Sequence, residues 1–455
     1  MAEASLDPTG AGLTGARTRP RVVIVGGGFA GVAAARRLRN ADVDVLLIDR
    51  RNHQIFQPLL YQAATAVLAP GDIAAPLRQL ASIQPNVTVE LAQVAAIDRR
   101  ARTVRALRLA NCEWIEVAFD YLILAAGAGP SYFGHDGFAA HAPALKTLSD
   151  AITIRTKILR AYELAEVTED PAARRRLMTF VLVGGGPTGV ELAATLAQMA
   201  RVTLRRDFRH IHPEQTDIVL LEGGPRILPS FDARLAAAAQ RQLNLLGVTV
   251  RTGAVAQAID EDGVMVGGER LEAATVLWTA GVAATPLSAL VEAKTDRAGR
   301  AIVEPSLEAA PGSGVFVVGD AASVIQDGKP VPGVAQAALQ QGAYAARVIL
   351  ARLAGASDPA PFRYRDKGSM AVVGKDFALL ETPNFKLSGR AAWFVWAFIH
   401  ITFLPRLQNR LRVSVQWLWT YLSGQRSSRL ISEPSSTARL ATPPMTEPGA
   451  AGPGH

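Results

Sequence analysis

Cysteine is almost absent: Cys112 is the only one among 455 residues. A single thiol excludes a disulfide framework and a cysteine-rich metal site, and it fits a reducing, cytosolic setting. Long hydrophobic runs are also missing. Although 49% of the residues are apolar, no run reaches the ~18 apolar residues expected of a transmembrane helix. Acidic residues vanish from one stretch. Between Glu381 and Glu433 stand seven basic side chains (Lys386, Arg390, Arg406, Arg410, Arg412, Arg426, Arg429) and no Asp or Glu. Residues 1–19 hold Glu3 and Asp7 and no apolar core, so they read as a disordered lead-in, not a secretory signal. Residues 431–455, rich in Pro, Ser, Thr and Gly, read as a disordered tail.

Glycine, by contrast, is concentrated where it matters. Gly26-Gly27-Gly28-Phe29-Ala30-Gly31 follows the apolar run Val22–Val25, and Gly184-Gly185-Gly186-Pro187-Thr188-Gly189 follows Phe180–Val183. Each opens an Ala-rich stretch that reads as helix. In that strand–turn–helix setting the glycines allow a tight turn and close approach of a pyrophosphate to a helix N-terminus. Two such turns predict two dinucleotides, the layout of a flavoprotein that takes hydride from a nicotinamide. Asp49 ends the strand after the first turn, where a carboxylate accepts ribose hydroxyls. Glu222 is its counterpart in the second unit. It lies 38 residues after Gly184, against a usual spacing of about 20, and the segment 201–215 reads as an insertion that absorbs the difference. A carboxylate there repels a 2′-phosphate and favours NADH over NADPH, while nearby Arg226 works against that preference. Ala125-Ala126-Gly127 and Thr279-Ala280-Gly281 each follow an apolar strand and let backbone cross close to a cofactor. Asp320, after the buried strand ending at Gly319, is either a helix cap or a ligand to a flavin ribityl hydroxyl.

Strands alternating with helices predict an α/β fold with two Rossmann-like dinucleotide-binding domains, each on a parallel, doubly wound sheet. The expected boundaries are 20–145 and 286–359 for the first domain, 146–285 for the second, inserted into it, and 360–430 for a separate C-terminal region.

Four strings carry a resemblance to a known family: Asn52-His53-Gln54-Ile55-Phe56-Gln57-Pro58-Leu59-Leu60-Tyr61-Gln62, Gly223–Pro229, Ala335–Gly342 and Tyr364–Ala371. Over about residues 20–425 the chain resembles the type II NADH dehydrogenases, single-subunit, non-pumping NADH:quinone oxidoreductases. The resemblance implies non-covalent FAD held by Gly26, Gly28, Phe29, Ala30, Gly31, Asp49, Arg50, Gln62, Ala126, Gly127, Asp320 and Gln336. It implies NADH on Gly184, Gly186, Pro187, Thr188, Gly189, Glu191, Glu222, Ala280 and Gly281. It places Gln336 with Gln340 or Gln341 at the quinone, where amides hydrogen-bond carbonyls without titrating. It makes Lys367 a cation beside the accepting carbonyl, and Glu191 an acid beside the nicotinamide. The same resemblance implies a homodimer and a respiratory role on the cytoplasmic face of the inner (plasma) membrane. Ubiquinone and menaquinone fit alike. The family's Thr-Gly step is Ala126-Gly127 here, which leaves the backbone role intact. Disulfide reductases and sulfide:quinone reductases on this scaffold need reactive cysteines that this chain lacks. Two alternatives stay open: a soluble NAD(P)H oxidase or ferredoxin-reductase-like flavoenzyme, and a low-turnover flavin-binding signalling protein.

The C-terminal region predicts how the membrane is met. Four of six tryptophans lie there (Trp393, Trp396, Trp417, Trp419), and Ala391–Leu404 is nearly all apolar but stops at Pro405. That length suits an interfacial helix. Leu411, Val415, Leu418 and Leu422 then recur at helical spacing beside Arg410 and Arg412. Tryptophan at headgroup level and arginine toward anionic lipid predict membrane docking. No nucleic-acid motif accompanies the basic block.

Overall fold

A computed structural model describes residues 19–432, so the expected disordered lead-in, but for Arg19, and most of the expected disordered tail lie outside the described residues. The first apolar run becomes the strand Arg21–Val25, the middle one of five parallel strands in a seven-stranded sheet. In spatial order the sheet runs Val315–Val317, Tyr121–Leu124, Arg21–Val25, Asp44–Asp49, Val87–Asp98, Thr103–Arg108 and Trp114–Ala118. The first five are mutually parallel, and nearly every residue of Arg21–Val25 and Asp44–Asp49 is buried, as expected of strands covered on both faces. The last two strands pair antiparallel. The expected all-parallel sheet thus carries an antiparallel flap, because tight turns at 99–102 and 109–113 leave no room for a crossover helix. Cys112 sits on the second of these turns, exposed and at φ +57°.

The second sheet is fully parallel, in the order Val248–Thr252, Asp217–Glu222, Thr179–Val183, Thr275–Trp278. The chain crosses into this unit at Ala128–Pro130 and returns at Val282–Ala284, and these two crossings pair as an antiparallel ribbon. It then re-enters the first sheet at Val315–Val317, beside Tyr121–Leu124. Helix Pro187–Gln198 continues into a π-helical turn, Met199–Thr203, before a short 3₁₀ turn at Pro213–Gln215 leads into the next strand. This detour is the extra chain between Gly184 and Glu222.

Helix Ala335–Leu353 packs across Phe29–Arg37 so closely that a Cβ on Gly342 would collide with the Ala30 carbonyl. The C-terminal region begins with three antiparallel strands, Ser369–Val372, Ala378–Glu381 and Lys386–Gly389, and ends with helices Arg390–Phe403 and Leu407–Ser423. The helices are bound to the rest. Ala392, Trp396 and Val413 are buried in the main core, and the buried Asn409 amide donates to the carbonyls of Gly71 and Asp72. Among the described residues no helix is long and apolar enough to cross a membrane.

Candidate functional site

The two glycine turns superimpose in logic, residue for residue. Gly26 and Gly184 have φ of +107° and +114°, a region that favours glycine. A Cβ on Gly26 would strike the Ala125 backbone, and one on Gly184 the Ala280 backbone. The Ala125–Gly127 and Thr279–Gly281 segments therefore lie against the turns, as small residues permit. A Cβ on Gly31 or Gly189 would strike the carbonyl of Gly26 or Gly184, so these third glycines let each helix pack onto its own turn. The middle pair differs: beside Gly28 and Gly186 nothing lies within 4 Å.

That open space faces bare helix ends. Gly28 and Gly186 are the N-caps of Phe29–Arg37 and Pro187–Gln198, with no side-chain cap and no acid in either first turn. Unpaired N–H groups and the positive end of the helix dipole are left for an anion. At each adjacent strand end a carboxylate holds the turn. Asp49 accepts from Gly27 N–H (2.6 Å) and Arg51 N–H (2.7 Å). Glu222 accepts from Gly185 and Gly224 N–H, both at 2.7 Å. These residues fit two dinucleotides: open cradles for pyrophosphates, each with a fixed acid one strand over for a ribose. Arg226 forks onto the carbonyls of Phe231 and Pro229, so its guanidinium is engaged within its own loop. Arg50 is exposed beside Asp49, and Pro187 and Thr188 are exposed on the second cradle.

A third wall meets the first cradle. Gly319 donates to Gln341 Oε1 (2.6 Å), and helix Ala335–Leu353 also starts without a side-chain cap. Asp320 lies inside the 3₁₀ turn Gly319–Ala321, whose N-cap is Val318, so Asp320 is not the cap. Its carboxylate is half-buried near Gly333. The other two glutamines fasten backbone. Gln336 bonds Gly368 O (2.9 Å) and Lys367 N–H (3.1 Å), and Gln340 bonds both backbone groups of Arg365 at 2.9 Å. Lys367 is exposed. Gln62, expected at FAD, is buried with its amide between Tyr61 Oη (3.1 Å) and Trp417 Nε1 (2.7 Å).

Glu191 is enclosed in the helix Pro187–Gln198, 9% exposed. Burial pushes its carboxyl up to about 8, opposed by a single long bond from Val372 N–H (3.4 Å). Its charge in turn helps to hold the buried Tyr61 phenol well above the usual range, behind burial itself. At neutral pH Glu191 is therefore predominantly a protonated acid.

A cavity near this acid leaves no trace in the residue pattern. A space of about 230 Å³ is lined by Tyr61, Gln62, Thr195, Val372, Trp393, Trp396, Trp417 and Arg426, among others. The tryptophans expected at headgroup level instead build this wall: Trp396 and Trp417 stack at 5.0 Å, and only Trp419 stands out, 59% exposed. The basic block is likewise redistributed. Arg426 is buried, Arg429 pairs with Asp207, and Lys386 pairs with Asp232. The apolar stripe does face outward, with Leu411, Val415, Leu418 and Leu422 each at least 60% exposed, beside Phe394 and Phe398. His400 is a further residue sequence reasoning missed. Burial pulls its imidazole down to about 4, its ring lies tilted against Trp396 at 4.5 Å, and it meets Phe56 edge-on.

Against known proteins, residues 20–342 match the pyridine nucleotide-disulphide oxidoreductase family and residues 367–426 match the NDH2 C-terminal domain. The chain is 41% identical over 440 residues to the type II NADH:quinone oxidoreductase Ndh of Mycobacterium tuberculosis, covering 94% of each. It is 42% identical over 435 residues to NdhA of the same organism, covering 93% of this chain and 91% of that one. Among solved structures, NDH2 of Plasmodium falciparum in complex with NADH shares the fold at a TM-score of 0.82 and 19% identity, covering 90% of this chain and 99% of that one.

Proposed function

The chain belongs to the type II NADH:quinone oxidoreductase family, and on that premise we propose how its residues divide the work. The protein carries two electrons from NADH through FAD to a membrane quinone, without pumping protons. The observation that carries this reading is the pair of open glycine cradles, each completed by a strand-end carboxylate. When bound, FAD supplies the two-electron relay between a nicotinamide and a quinone.

The chain's own residues bind, orient and hold protons. The bare N–H groups after Gly28 receive the FAD pyrophosphate, Asp49 a ribose, and Asp320 the ribityl chain. The turn at Gly186 receives the NADH pyrophosphate. Glu222, already fixed by two backbone N–H groups, takes the adenosine ribose and disfavours a 2′-phosphate; Arg226 is occupied elsewhere and does not offset this. Glu191 keeps its proton at neutral pH and is placed to give it up as quinone is reduced, since the carboxyl's tendency near 8 matches the task. Gln336 and Gln340 act by fixing the 365–368 segment, so Lys367 is held in place by its own backbone bond to Gln336. The outward stripe Leu411–Leu422, with Arg412 on the same exposed side, docks on the bilayer at its cytoplasmic face, and two copies dock together as a homodimer.

Stopped-flow flavin absorbance tests the reading. NADH should bleach the flavin quickly, and a soluble short-chain quinone should restore it far faster than air does. Recovery as fast in air as with quinone would move the protein to the oxidase class. A stable bleached complex indifferent to quinone would move it to the signalling class.

A further inference from the structure

Two opposite charges meet the first cradle, and neither has a partner. Asp320 stands on the turn Gly319–Ala321, which lies against the cradle helix: a Cβ on Gly319 would touch the Ala30 Cβ at 3.5 Å. Lys146 stands just before helix Leu148–Val167. Its backbone is fixed on both sides. Its N–H donates to Asp150 Oδ2 (3.0 Å), which also takes Thr147 N–H (2.7 Å), and its carbonyl accepts from Gln57 Nε2 (3.3 Å). Its side chain is half-buried. Among the described residues neither the Lys146 ammonium nor the Asp320 carboxylate makes a hydrogen bond or an ion pair. Burial pulls the Lys146 ammonium down from its ordinary value, and the one charge that pulls it back up is Asp320. The two groups therefore sense each other without closing on each other. A charge withdrawn from water without a counter-ion is costly, so the space between them is fitted to a polar ligand.

The order of the groups along the cradle says which part of the ligand meets Lys146. FAD is linear: adenosine, pyrophosphate, ribityl chain, flavin ring. Asp49, the N–H groups after Gly28, and Asp320 take the first three in turn, which leaves the ring for the group beyond Asp320. Lys146 also stands where a ring must lie to receive hydride, between the two cradles. On one side Gln57, which holds the Lys146 carbonyl, follows Phe56, and Phe56 meets Phe29, the first residue of the first cradle helix, at 6.0 Å. On the other side Ala144 pairs with Trp278, the last residue of the strand that runs into Thr279–Gly281 of the second cradle.

We propose that Lys146 tunes the flavin: its ammonium faces the ring and favours the reduced cofactor over the oxidised one. The proposal rests on the flavin-dependent reading above. Hydride from NADH delivers two electrons and one proton. The reduced cofactor therefore carries one more negative charge than the oxidised one until a second proton follows. A cation fixed beside it in a site shielded from water stabilises that charge. The Asp320 carboxylate alone would oppose the gain of negative charge, and Lys146 offsets it.

The test is the midpoint potential of the flavin in the full-length FAD-loaded protein, read by reductive titration against a reference dye. The potential reports the ratio of the affinities for reduced and oxidised FAD, so a residue that only shapes the site leaves it unmoved. Lys146→Gln removes the charge and should lower that ratio at least tenfold, a fall of about 30 mV for a two-electron couple. Lys146→Arg keeps the charge and should stay within about threefold of the wild type, about 15 mV. Should Lys146→Gln not retain FAD, Lys146→Met, with a stem of nearly the same length, carries the same measurement. An unchanged potential in the uncharged variants, or an equal fall in Lys146→Arg, overturns the proposal while the enzyme's activity stands. Loss of oxidised FAD from both uncharged variants overturns it too, because the proposal sets Lys146 to work on the reduced form. A wild-type protein that holds FAD and is not bleached by NADH overturns the parent reading instead.

Discussion

Glu191→Gln should change how stability depends on pH more than it changes stability at acid pH. The carboxyl moves from 4.5 to about 8 on folding, chiefly through burial. A folded value above the unfolded one means that the protonated form is the one the fold accepts. The stabilising contribution is complete below pH 4.5, declines as pH rises from 4.5 to about 8, and is gone above that. Each tenfold in proton affinity is worth about 1.4 kcal/mol, so the full loss is about 5 kcal/mol, of which about 3 kcal/mol is already lost at pH 7. Glutamine keeps an oxygen for Val372 N–H and does not titrate. Guanidinium unfolding of the FAD-loaded wild type should therefore show a midpoint that falls between pH 5 and pH 9, with Glu191→Gln nearly flat over this group's window and the more stable of the two at pH 9. Parallel pH dependences for the two proteins would refute the claim that Glu191 is buried as the neutral acid. In turnover, the wild-type quinone reduction rate should fall as pH passes about 8, and the variant should be slow and insensitive there.

Four further outcomes follow from the cradles and the exposed stripe. Glu222→Arg should move the NADH/NADPH ratio of kcat/KM by at least about tenfold toward NADPH; an unchanged ratio would remove Glu222 from the ribose. Gly184→Ala should destabilise the protein by about 2–4 kcal/mol, because the new methyl meets the Ala280 backbone at a positive φ. Gly186→Ala should leave thermal stability alone and weaken NADH binding, and a variant that binds NADH normally would argue against that cradle. Leu411→Glu combined with Leu418→Glu should lower partitioning onto anionic vesicles about 100-fold, from the ~1.5–3 kcal/mol that each buried leucine contributes, with NADH bleaching intact. Undiminished sedimentation with vesicles would place the membrane contact elsewhere.

What could be read in the sequence was whatever the backbone demands of residue type. A positive φ at Gly26 and Gly184, and helix-on-turn packing at Gly31 and Gly189, leave little choice but glycine, so those positions announce themselves. Asp49 and Glu222 follow because a strand end beside such a turn is the place for an acid. Even the misfit spacing before Glu222 has a local cause, the π-helical turn and the 3₁₀ turn after Gln198. The glutamines show the limit. An amide serves a ligand or a backbone equally well, and the partners of Gln336 and Gln340 lie 25–32 positions away on a segment with no regular pattern.

The C-terminal region shows the same limit with larger consequences. Composition there reads as tryptophan and arginine for a membrane surface, and the leucine stripe at helical spacing does face outward. Composition has no term for which side of a helix a residue takes, however, and Trp393, Trp396 and Trp417 lie on the inner side with Arg426. A helix that both touches lipid and walls a cavity needs apolar residues on two faces, so its pattern looks like surplus hydrophobicity and its inner face is hidden. The buried cation discriminates the two roles. An arginine recruited for lipid headgroups keeps its charge in water, whereas Arg426 is withdrawn behind Thr65 and Thr195, and burial with the neighbouring Arg429 lowers its guanidinium to about 9. At that value it is still charged at neutral pH. Retaining such a charge inside the protein is costly, and the carbonyls of Thr65 and Thr195 that accept from its two terminal nitrogens are what offset that cost.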